Sequence, residues 1–77
     1  MTAPDFVADY IARRHNLLAA WRAWDEQPSN SNRANALTDA CLAYSGEAHV
    51  QFWRFVTTVH RYGGNPEDAL DAWEADW

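Results

Sequence analysis

Five tryptophans and three phenylalanines in a chain of 77 residues constrain this sequence more than any other feature. Each indole covers on the order of 200 Å² when enclosed, and a chain this short hides only roughly 60% of the surface its unfolded form exposes. There is room for one core, so a single domain over 1–77 is expected. At about 0.05 to 0.15 kcal/mol per residue the whole stability comes to about 4 to 12 kcal/mol, and large side chains must supply it. Trp21, Trp24, Trp53, Trp73 and Trp77 compete for that interior with Phe6, Phe52 and Phe55. Trp24, near a helix end, and Trp77, at the last position, are the two expected to stay partly exposed.

Apolar spacing predicts an all-α chain, a compact bundle of about four helices over 4–24, 33–44, 47–62 and 66–76. Thr2 suits an N-cap, with Pro4 and Asp5 in the first turn. At 100° per residue Phe6, Val7, Tyr10, Ile11, Leu17, Leu18, Trp21 and Trp24 share an arc of about 140°. The polar run 27–32 reads as a turn. A second helix then presents Ala34, Leu37, Cys41 and Tyr44, and Ser45-Gly46 supplies its break.

The third segment is ambiguous, because Val50 to Val59 is rich in β-branched and aromatic residues. A strand would put Arg54 on one face with Val50, Phe52 and Val56, whereas a helix gathers Phe52, Trp53, Phe55, Val56 and Val59 and turns Arg54, Thr58 and Arg61 away. Helix is the better reading. Gly63-Gly64 stops it, and Asn65-Pro66-Glu67-Asp68 gives an N-cap, an N1 proline and two first-turn acids.

No residue set converges on catalysis or on a metal. His49 and His60 are about 16 Å apart along one helix, and His15 falls on a polar face. Cys41, the single cysteine, lies inside an apolar stripe and reads as a small buried hydrophobe; without a second thiol, a reducing, cytoplasmic setting is expected. No basic, apolar leader and no ~18-residue apolar window occurs, so neither secretion nor a membrane span is expected. No cofactor, metal or enzyme activity is therefore expected.

Eleven acidic side chains against six arginines give a net charge of −5, and the arginines are scattered, which argues against direct nucleic-acid binding. Five of the acids, Glu67, Asp68, Asp71, Glu74 and Asp76, lie in the last eleven residues. Glu67, Asp71 and Glu74 fall within about 60° on a helix, beside a stripe of Leu70, Trp73 and Trp77. Arg14 projects from the apolar arc of the first helix, where its stem packs while the guanidinium reaches out to solvent or pairs with an internal carboxylate such as Asp39, or where it forms a binding face with Tyr10, Trp21 and Trp24.

The expected partner-binding residues are thus Glu67, Asp68, Asp71, Glu74, Asp76, Trp73, Trp77, Arg14 and Trp24. Regularly spaced negative charge fits a protein partner with a basic surface, which the chain would occupy and so inhibit or regulate. Small acidic inhibitors encoded by phages and other mobile elements, including those aimed at nucleic-acid-guided defence complexes of the CRISPR type, have this size and charge. The alternative is an assembly subunit that forms a homodimer through its aromatic stripes.

Overall fold

A computed structural model describes residues 5–76, whose α-helices are α1 (Asp5–Glu26), α2 (Ser31–Ser45), α3 (His49–Arg61) and α4 (Pro66–Ala75). The structure is 88% helix, and the described residues contain no strand, which resolves Val50–Val59 as helical. A 3-10 turn over Gly46–Ala48 joins α2 to α3 with no intervening coil, so 31–61 is one bent helical stretch. Three stretches result, and the expected four hold only if that middle one is divided at Gly46. Thr2 and Pro4, the expected start of the first helix, lie outside the described residues.

Local chemistry explains three of the boundaries. Asn65 accepts hydrogen bonds from the amides of Glu67 and Asp68 at 2.9 and 3.2 Å, and Pro66 opens α4. At the end of α3 the Gly63 amide donates to His60 O and the Gly64 amide to Val59 O, the two bonds of a Schellman motif, with Gly63 at φ 72°. The start of α2 differs from expectation. Asn30 accepts from the Arg33 amide at 3.2 Å and caps the helix, so Ser31 and Asn32 form its first turn and not the preceding loop. Glu26, not Trp24, ends α1.

The core is Leu17, Leu18, Trp21, Trp24, Leu37, Cys41, Phe52, Val56 and Leu70. Phe52 is its centre: Trp21 meets it edge-on at 6.1 Å and Trp73 at 5.0 Å. Trp24 is only 6% exposed, which overturns the expectation that it stays partly exposed. Trp53 lies 5.7 Å from it and His60 4.7 Å, so two residues of α3 close over the end of α1. Trp77 is outside the described residues.

The apolar arc of α1 is divided. Its second half is buried, whereas Phe6 and Ile11 stay 74% and 59% exposed. The polar contacts of α4 run along α1 only from Arg22 back to Tyr10, which leaves the first turn of α1 beyond them.

Candidate functional site

Arg14 and Arg22 are eight residues apart and project from one side of α1; Glu67, Asp71 and Glu74 project from one side of α4. The fold sets these rows against each other. Arg22 Nη2 donates to Glu67 Oε2 at 2.9 Å, Arg14 Nη2 to Asp71 Oδ1 at 2.6 Å, and Arg14 Nε to Glu74 Oε1 at 2.9 Å. The order of partners makes α4 antiparallel to α1. Asp39, one candidate carboxylate for Arg14, is exposed on α2 and takes no part.

Glu74 is the junction of three helices. Its carboxylate accepts the Tyr10 hydroxyl from α1, the Tyr44 hydroxyl from α2 at 2.7 Å, and the Arg14 guanidinium. Burial pushes the Glu74 carboxyl up, but the hydrogen bonds from Tyr10, Tyr44 and Arg14 outweigh it and hold it below the usual carboxylate range. Burial and the bond to Glu74 raise both tyrosines above their ordinary value. Two hydroxyls that hold their protons and a carboxylate that gives its up form a static clamp, and neither is poised for proton transfer near neutral pH.

The expected binding residues therefore separate into two groups. Arg14, Glu74, Trp24 and Trp73 belong to the fold: the first two neutralise each other, Trp24 is core, and Trp73 packs on Phe52 and Phe55. Glu67 and Asp71 remain 57% and 64% exposed although each gives one oxygen to an arginine. Asp68 and Asp76 are exposed and form no ion pair within the described residues. The expected aromatic face of Arg14, Tyr10, Trp21 and Trp24 does not form, because Trp21 and Trp24 point inward.

Arginines hold the other helices too, which the sequence pattern did not reveal. Arg33 Nη1 donates to Ala23 O at 2.7 Å, occupying a carbonyl near the end of α1, and Arg13 Nη1 reaches Ala43 O at 3.3 Å. His60 Nδ1 lies 2.6 Å from Asp25 Oδ1. With Arg13, Arg14, Arg22 and Arg33 all engaged, the negative excess is left facing outward. The spacing of Arg14 and Arg22, matched to that of the α4 acids, was the one signal in the sequence for this arrangement.

The surface also has concavities. One, of about 450 Å³ between α1 and α4, is lined by Ile11, Arg14, His15, Leu18 and Arg22. Another, of about 330 Å³, is lined by Cys41, His49, Val50 and Trp53, and burial pushes that thiol up to about 12. Among the described residues no three His, Cys, Asp or Glu side chains converge as metal ligands, and no helix is long and apolar enough to cross a membrane. Comparison with known families, with curated proteins and with solved structures finds no match to this chain.

Proposed function

We propose that the protein is a non-enzymatic binding module that occupies a basic surface of a larger protein partner and thereby inhibits or regulates it. The observation that supports this reading is the outer flank of α4. Glu67, Asp68 and Asp71 span roughly 100° of its surface at 100° per residue, with their carboxylates open to solvent. A rigid helix holds these charges in fixed spacing; Glu67 and Asp71 each give one oxygen to an arginine yet stay 57% and 64% exposed, and Asp68 forms no ion pair within the described residues. Such a flank steers association with a positive patch and adds specificity through charge matching.

A basic patch large enough to accept it is the kind of surface that holds nucleic acid, so the module would compete with a phosphate backbone. In size and net charge the chain is like the small acidic inhibitors that phages direct against nucleic-acid-guided defence complexes. Capture from an extract of the host with immobilised protein tests the reading. Wild type should retain a nucleic-acid-binding protein at low salt, and a form with Glu67→Gln and Asp71→Asn should not. Equal retention by both would exclude the acidic flank.

A further inference from the structure

The α3–α4 face, on the other side of α4 from Glu67 and Asp71, combines apolar surface with unpaired charge of both signs. A groove of about 450 Å³ runs between the helices over Phe55, Val59, Ala69 and Ala72. Tyr62 stands at its edge and, at 82% exposed, is the barest large side chain of the core-forming type among the described residues. Gly64 keeps this wall low: a Cβ there would meet Val59 Cγ1 at 2.8 Å. Along α3, Arg54 and Arg61 lie one turn either side of Thr58, which lines the groove; both are exposed and neither forms an ion pair within the described residues. Along α4, Asp68 and Asp76 are in the same condition.

The face therefore has a basic rim, an apolar floor and an acidic rim in that order. A uniformly basic partner would be repelled by the arginine rim. A surface with the same three strips in reverse order matches it, and a two-fold rotation of this face gives that order. We propose that this face pairs with a second copy of the chain, Tyr62 of each copy seated in the groove of the other and Arg61 of each facing Asp68 of the other. The pair is weak. Thirteen residues make α3 roughly 20 Å long, so the face covers on the order of 400 Å² per copy, about half of what a standard interface buries on each partner. Glu67 and Asp71 stay uncovered, so a dimer would present two acidic flanks and bind a repeated basic surface with avidity.

Sedimentation equilibrium of the full chain from roughly 10 µM to roughly 1 mM tests this without any partner protein. The mean mass should rise with concentration toward that of two chains. Arg61→Glu alone and Asp68→Arg alone should each weaken association at least about tenfold, since each homodimer then has two like-charge contacts. An equal mixture of the two variants should restore it, because the mixed dimer has two opposite-charge contacts. Wild type that stays monomeric at the highest concentration overturns the proposal, and so does a mixture that associates no better than its components. Thermal melts of both variants show whether each is folded, and the mixture keeps the result decisive if one is weakened.

Discussion

Arg14 Nε donates to Glu74 Oε1 at 2.9 Å, joining the middle of α1 to the end of α4 across sixty positions of sequence. The two side chains are 25% and 18% exposed, so this is a partly dehydrated pair and not a surface ornament. Because the folded state holds Glu74 below its ordinary value, its charge adds stability that is complete above the unfolded-state pKa, near 4.5, and is lost as pH falls through the lower folded value. Urea unfolding of wild type and Glu74→Gln should differ most at neutral pH and converge in acid. A difference that stays constant with pH would contradict the clamp.

Replacing Arg14 by methionine keeps the stem and removes the cation, which leaves Glu74 with two tyrosine hydroxyls and no countercharge. Stability should fall by about 1 to 3 kcal/mol in chemical denaturation, because one partner of a part-buried pair is stranded. Unchanged or raised stability would mean that Glu74 is sustained by the tyrosines alone.

Phe52 has no exposed surface and touches Trp21, Phe55, Tyr44 and Trp73, rings from all four helices. Phe52→Ala should cost about 3 to 5 kcal/mol. A chain of this size has only about 4 to 12 kcal/mol in total, so circular dichroism should show partial or complete loss of cooperative unfolding at ambient temperature.

Cys41 is 1% exposed, and burial holds its thiol far from ionisation. A disulfide reagent should therefore label it only through opening of the fold, at a rate that rises sharply in sub-denaturing urea. Rapid labelling in native buffer would show that the groove above it opens on its own.

What could be read from the sequence was local. Asn65-Pro66 and Gly63-Gly64 declare a helix start and stop through bonds between near neighbours, and the phase of Phe52, Val56 and Val59 settles α3. Asn30 was missed as a cap because it sits inside a run of six polar residues, any of which can turn. The burial of Trp24 is not legible in its own neighbourhood because it depends on Trp53 and His60, 29 and 36 residues away. The acidic row on α4 was legible as a row, but whether it faced solvent or arginine depended on the docking of α4 against α1, which phase alone does not fix. Part of the expected binding surface thus became the clamp, and Glu67, Asp68, Asp71 and Asp76 remained.

The central claim, steering by the acidic flank of α4, is tested most directly by the rate at which the protein associates with the partner it captures, followed across a salt series. Wild type should lose about tenfold or more in association rate between low and high salt, while the form neutralised at Glu67 and Asp71 starts slow and changes little. Equal rates for the two forms, or a wild-type rate indifferent to salt, would contradict it.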